Sequence, residues 1–324
     1  MRQLNVLFVC LSLVAVSCTI PEPLGGQCAN DQALGTADCQ RVTKDTKYSE
    51  SSLGYEDPTQ EYNDGTCTCV SGYTHFMGDC YKAGDSLTFG SYPQDENSDT
   101  PSPLTWLILE IKGDAVLLLS QYVLEQYPYH PERTSITWER SNVRSYLNGL
   151  GAAHNDSGMN HDANGFIDKA FTAEERQWIK EVTNKNPNAP ENWNNTPGGN
   201  DTQDKVFLLS HDEVLQYFPT RKSQVASPTA YAIHPPEGSG RNNLWTCQVT
   251  CSGDDSCSAS DCKNDETSVQ MCSDVQCGSD WWLRSPGTYP NNAADVDVCV
   301  GIIYYSVNGD GLGLRPALYL HLNL

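Results

Sequence analysis

Trp281-Trp282-Leu283-Arg284-Ser285-Pro286-Gly287, answered later by Gly313-Leu314-Arg315-Pro316-Ala317-Leu318, is the stretch whose reading decides the fold. Each phrase is an apolar run too short for a helix and punctuated by Pro or Gly, the pattern of short buried strands. The end of the chain therefore reads as a compact β-rich closing module.

Outward from that module, strand and helix signals alternate. Trp106–Ile111 and Ala115–Leu119 flank Lys112-Gly113-Asp114 and predict a hairpin. Val143, Tyr146 and Leu147 recur at helical spacing after Ser141, and Asn148-Gly149 stops that helix. Thr172-Ala-Glu-Glu175 is a capping box expected to open a helix through Trp178, Ile179 and Val182. Val206–Leu209 reads as a buried strand, and Ser210-His-Asp-Glu213 caps a helix carrying Val214, Leu215 and Phe218. Asn184–Gln203 is an Asn-, Pro- and Gly-rich surface loop. Mixed short strands and helices make residues 84–324 an α+β domain.

Between Cys247 and Cys277, six cysteines are spaced C-x3-C-x5-C-x4-C-x9-C-x4-C among Ser, Asp and Gly. Such a segment has little to bury and holds its shape by crosslinks, so 247–277 reads as a disulfide-knotted insertion. A zinc cluster would favour C-x2-C pairs, which are lacking here. Cys299 either pairs with the N-terminal region or stays a buried thiol.

The N-terminus supplies an address. Arg2 precedes an apolar run from Leu4 to Val16, shorter than the ~20 residues of a spanning helix, so 1–17 reads as an export signal. Ala15-Val16-Ser17-Cys18 resembles a bacterial lipobox, which implies an acyl anchor on Cys18 and a lipid bilayer as partner; ordinary signal cleavage at the same bond is the alternative. Of 14 cysteines, Cys10 leaves with the signal and Cys18 takes the lipid, so an even number remains to pair in an oxidising compartment. Residues 18–82 are polar and cysteine-bearing. Cys67–Cys80 resembles the second half of an EGF-like module, which implies a Cys69–Cys80 bridge; a generic disulfide-stapled stalk is the other reading. With 41 acidic against 20 basic side chains and a formal charge of −21, the chain repels phosphate backbones, which argues against nucleic-acid partners.

Further phrases complete a pattern: Phe89-Gly-Ser-Tyr-Pro-Gln94, Trp138–Gly149, Asn164–Glu175, Thr202–Ser210 and Thr229-Ala-Tyr-Ala232. In this order, with the two closing phrases, residues 84–324 closely resemble a bacterial domain of unknown function found in exported proteins and lipoproteins. That resemblance implies no activity and transfers no catalytic residue. The ending is also similar, more loosely, to the C-type-lectin-like fold of sulfatase-modifying-factor proteins and bacterial surface receptors, with Leu314 where those chains carry an aromatic.

Three constellations could carry chemistry. Trp281, Trp282, Arg284 and Arg315 either line a groove for a sugar or carboxylate or pack in the core and pin loops. Asn160, Asp162, Asn164 and Asp168, with Gly165, match positions one, three, five, nine and six of an EF-hand loop, yet position twelve is Phe171; calcium is the one cofactor this pattern suggests. Cys272 with Cys277 or Cys299 is conceivable as a reactive pair for an oxidase, against structural pairing as the alternative. No G-x-S-x-G or H-E-x-x-H phrase occurs, and no catalytic residue is assigned. Asn155, Asn194 and Asn200 head N-x-S/T sequons, of consequence only in a eukaryotic host. The expectation is an envelope- or surface-displayed binding protein for an extracellular protein or glycan. An enzyme on a sulfatase-modifying-factor-like fold and an envelope scaffold are the alternatives.

Overall fold

The computed structural model describes residues 60–63, 66–265, 267–274 and 276–322. The expected signal, the Cys18 anchor, Cys28 and Cys39 lie outside the described residues. Two compact units emerge, one holding the chain up to Asp85 with 110–114 and the end from Leu322, the other 86–109 with 115–321.

In the first unit β1 (Gln60–Asn63) pairs antiparallel with β2 (Thr66–Cys69), and β3 (Thr74–Phe76) with β4 (Asp79–Tyr81). Cys69 and Cys80 are disulfide-bonded, with Cα atoms 5.6 Å apart.

The second unit is α+β. Its N-terminal part contributes β5 (Ser86–Pro93), β6 (Pro101–Lys112) as far as Leu109, β7 (Ala115–Ser120) and β8 (Glu125–Gln126). The short helices α1 (Asn142–Asn148), α2 (Phe166–Ala170) and α3 (Glu175–Trp178) follow. Next come β9 (Ile179–Lys180), β10 (Val182–Asn184), β11 (Thr202–Asp204) and β12 (Val206–Phe207). Helices α4 (His211–Tyr217), α5 (Arg221–Gln224) and α6 (Ala230–Ile233) lead to β13 (Thr246–Cys251), β14 (Cys257–Lys263), α7 (Thr267–Asp274) and β15 (Cys277–Gly278). The chain closes with β16 (Trp281–Pro286), β17 (Asn292–Asp297), β18 (Gly301–Ser306), β19 (Gly313–Leu314) and β20 (Ala317–His321).

Two sheets carry the core. One runs β12-β20-β7-β6-β5 with β9 also on β20; the other runs β18-β17-β16-β19-β8. Each quoted closing phrase supplies an interior strand: β16 is buried at every position, and β20 pairs with β7, β12 and β9. Pro316 stands just before β20, where a missing N–H costs the ladder least. The β6–β7 hairpin turns at Gly113, whose φ of 63° is easy for glycine.

Local signals reappear as geometry. Ser141 Oγ accepts the Arg144 N–H at the start of α1, and Gly149 ends it at φ 61°. Ser210 and Glu213 exchange both bonds of a capping box on α4. Leu215 of that helix is exposed, whereas Val214 and Phe218 are buried.

One expectation is corrected. Thr172 and Glu175 do form the reciprocal box, but α3 stops at Trp178. Ile179 pairs with Leu320 of β20 instead, and Val182 with Asp204 of β11. Ile179, Val182 and Thr183 are β-branched, and neighbouring strands offer their backbone partners that outweigh a short helix.

The six cysteines from Cys247 to Cys277 bond among themselves, as 247–262, 251–257 and 272–277. The segment is more regular than crosslinks alone require, since β13 pairs with both β14 and β15. Among the described residues no helix is long and apolar enough to cross a membrane.

Candidate functional site

The four residues singled out in the closing phrases are all buried, and they divide into separate clusters. Trp281 donates its indole N–H to the Gln224 carbonyl at 3.2 Å, and Arg315 lies 5.0 Å over its ring. Arg315 also lies over Phe218, its Nε donates to the Ser120 carbonyl at 3.0 Å, and burial pushes its pKa below the ordinary guanidinium value. Trp282 donates to the Tyr127 carbonyl at 2.9 Å and packs against Tyr129. Arg284 grips Glu213 with both terminal nitrogens and donates to the Leu208 carbonyl. These contacts tie loops and helices to the sheet; they present no face to a ligand.

The 160–168 pattern also has a structural use. Asn160 Oδ1 accepts the Asp162 N–H, Asn164 is exposed, and Asp168 accepts the Gly165 N–H while ion-pairing with Arg176. A Cβ on Gly165 would stand 2.4 Å from the Tyr146 carbonyl oxygen, so this glycine serves close helix packing. Among the described residues no group of three or more His, Cys, Asp or Glu side chains is gathered to hold a metal.

Two other places gather chemistry. The first is a surface of aromatic rings. The loop before β11 carries a 3₁₀ turn at Glu191–Trp193, and the Trp193 ring stands edge-on to Tyr304 of β18 at 5.1 Å and to His211 at 5.5 Å. Asn194 Nδ2 and Thr196 Oγ1 both donate to the Thr288 carbonyl, pinning this loop to the one that follows β16. Tyr289, next in that loop, is 57% exposed, and Tyr304 is 38% exposed. Nothing in the run around Trp193 marks it in sequence, because its partners lie on distant segments.

The second is a buried polar cluster around Glu125, which is 1% exposed. Its Oε1 accepts the Tyr146 hydroxyl at 2.7 Å. Its Oε2 lies 2.5 Å from Arg241 Nε but off the N–H direction, an ion pair rather than an aligned hydrogen bond. Arg241 Nη2 donates to the Tyr146 hydroxyl at 2.8 Å, and Tyr92 bonds the same oxygen at 3.1 Å. Tyr127 stacks on Tyr146 at 4.4 Å, and its hydroxyl accepts from Asn142. His161 meets Asn142 Oδ1 through Nε2, which places its proton on that nitrogen. Burial raises Tyr127 to about 12 and holds Tyr92 and Tyr146 well above the ordinary phenol value, so all three stay neutral. Burial, then Arg241, lowers both His161 and Lys169. The cluster therefore offers fixed donors and one carboxylate.

Residues 113–322, well over half of the chain, match the family described as Domain of unknown function (DUF6273). The chain belongs to that family. No curated protein and no solved structure matches it. The DUF6273 span contains Trp193, Tyr304, Glu125, Tyr146 and Arg241, whereas Tyr92 precedes it.

Proposed function

We propose that this chain is an exported, lipid-anchored envelope protein that acts as a non-enzymatic binding module, and that it lays a glycan on the Trp193–Tyr304 surface. The observation that carries the reading is the set of partly exposed rings: Trp193 and Tyr289 on two loops pinned together at the Thr288 carbonyl, and Tyr304 on β18, edge-on to Trp193. Aromatic faces of fixed orientation bind the apolar faces of sugar rings at little entropic cost. Export and anchoring rest on the Leu4–Val16 run and Cys18, and an EGF-like first module rests on the cysteine phrase that closes at Cys80. A C-type-lectin-like topology for the second unit rests on the two closing phrases.

A protein partner is the second reading. β18 is an edge strand with Tyr305 half exposed, as is Val300 just before it, an edge to which an extended peptide could add. The oxidase reading finds less support: Cys272 is bonded to Cys277, and burial pushes the Cys299 thiol up, the opposite of an activated thiolate.

Glycan-array binding by the full mature chain tests the proposal. Binding should be lost in W193A and Y304A with far-UV circular dichroism and melting cooperativity unchanged. Array binding that survives both substitutions, or no glycan binding by the wild type, would overturn it; peptide capture blocked by a proline on β18 would favour the second reading.

A further inference from the structure

The Glu125 cluster is closed by a residue of unusual provenance. Arg241 sits on a strap running from Pro235 to Asn243, with glycines at 238 and 240 in positive φ and nothing within 4 Å of where their Cβ atoms would be. Among the described residues, the backbone bonds of Ser239 and Arg241 stay within the strap, to the Pro236 carbonyl and to Ser239 Oγ. The backbone rejoins the body at Leu244, whose N–H bonds the Ala232 carbonyl. Asn243 touches the Asn264 carbonyl near that end. In between, Arg241 reaches inward, and its side chain is 16% exposed while Glu125 beneath it is 1% exposed.

The walls of this socket are built without the strap. Tyr127 follows β8, Tyr146 belongs to α1, Tyr92 to β5 and Tyr231 to α6, and Tyr231 meets Tyr92 edge-on at 6.1 Å. The guanidinium carbon is 4.9 and 5.0 Å from the Tyr127 and Tyr146 ring centres, on the shared rim of the stacked pair. A carboxylate this deep needs a cation, since leaving it alone is far more costly than pairing it. Any cation of the same shape satisfies that need, and the chain's charge of −21 draws cations toward it.

We infer that the Glu125–Tyr146–Tyr127 socket is a binding site for an organic cation of guanidinium type, and that Arg241 on its glycine-bearing strap is an internal stand-in that such a ligand displaces. The site is separate from the Trp193 surface and does not depend on the glycan reading. Free small molecules and arginine side chains of a peptide share this chemistry, so both are tested.

Ethylguanidinium and an acetylated arginine amide are titrated by calorimetry into the full mature chain, with tetramethylammonium at equal ionic strength as the control. R241A should bind ethylguanidinium about tenfold or more tightly than wild type, because wild type must first eject Arg241. Adding E125Q to R241A should abolish that gain. Arginine amide outbinding ethylguanidinium would assign the site to peptides; the reverse order would assign it to free cations. In the wild type, hydrogen exchange of the 236–243 peptide should quicken on adding ethylguanidinium, a readout that stands even where R241A folds poorly. Equal affinity in wild type and R241A, binding indifferent to E125Q, or unchanged exchange of the strap would overturn the inference.

Discussion

Arg284 holds Glu213 in a two-pronged grip, with Nη2 2.9 Å from Oε1, while the same carboxylate caps α4 through the Ser210 N–H at 2.7 Å. One side chain thus completes a helix start and a strand-to-helix tie. Removing Glu213 strands a buried guanidinium, and removing Arg284 leaves the Glu213 carboxylate, 29% exposed, with the Ser210 N–H but no counter-charge. R284A should cost about 3 kcal/mol of stability in urea unfolding, and R284K should recover only a minor part because lysine lacks the fork. A loss below about 1 kcal/mol would show the tie to be ornamental.

Stability should fall as pH rises from about 4 to 8. Asp295 lies on β17, buried with Oδ1 unpartnered, and burial followed by Asp280 and Asp297 raises its pKa to about 8; burial raises Asp280 to about 6. Between the ordinary carboxyl value and these raised values the folded chain binds more protons than the unfolded one. Each carboxyl then contributes a decline of up to about 1.4 kcal/mol per pH unit. D295N should flatten the profile and be more stable than wild type at pH 8. Melting temperatures of both proteins at pH 5 and pH 8 give the comparison, and a wild type equally stable at both sinks this account.

Among the bridges of the 247–277 segment, Cys247–Cys262 closes a longer loop than Cys251–Cys257, separations of 15 against 6. Chain entropy then ranks them at about 3 and about 2 kcal/mol. Paired Cys→Ser variants should lower the melting temperature in that order, and the reverse order would mean that native packing, not loop closure, governs the segment.

Gly165→Ala should destabilise by about 1–3 kcal/mol, since its Cβ would press into the backbone of Tyr146 and Gly149, which overpacks a tight helix contact. Calcium should leave the wild-type melting temperature unchanged, with Asp168 already engaged by the Gly165 N–H and Arg176. A calcium-dependent rise that D162N removes would restore the EF-hand reading of 160–168.

Much of the backbone punctuation was legible in sequence. Ser141, Gly149 and the Ser210–Glu213 box act within a single turn of chain, so their residue types and spacing are sufficient. The Lys112-Gly113-Asp114 turn joins strands that pair next to each other, for the same reason. The stretch after Trp178 was not legible, because Ile179 and Val182 take backbone partners from β20 and β11. The candidate sites were the least legible. Trp193 meets Tyr304, and Glu125 meets Arg241, across stretches of sequence that carry no signature linking them.

The sequence by itself determined the α+β texture, the turn and cap positions and the crosslinked character of 247–277, all consequences of residues acting on near neighbours. Only the tertiary structure decided that Trp281, Trp282, Arg284 and Arg315 go inward, that Trp193 meets Tyr304 and that Arg241 meets Glu125. Burial is settled by which distant strands and helices cover a side chain, and no local pattern encodes that cover.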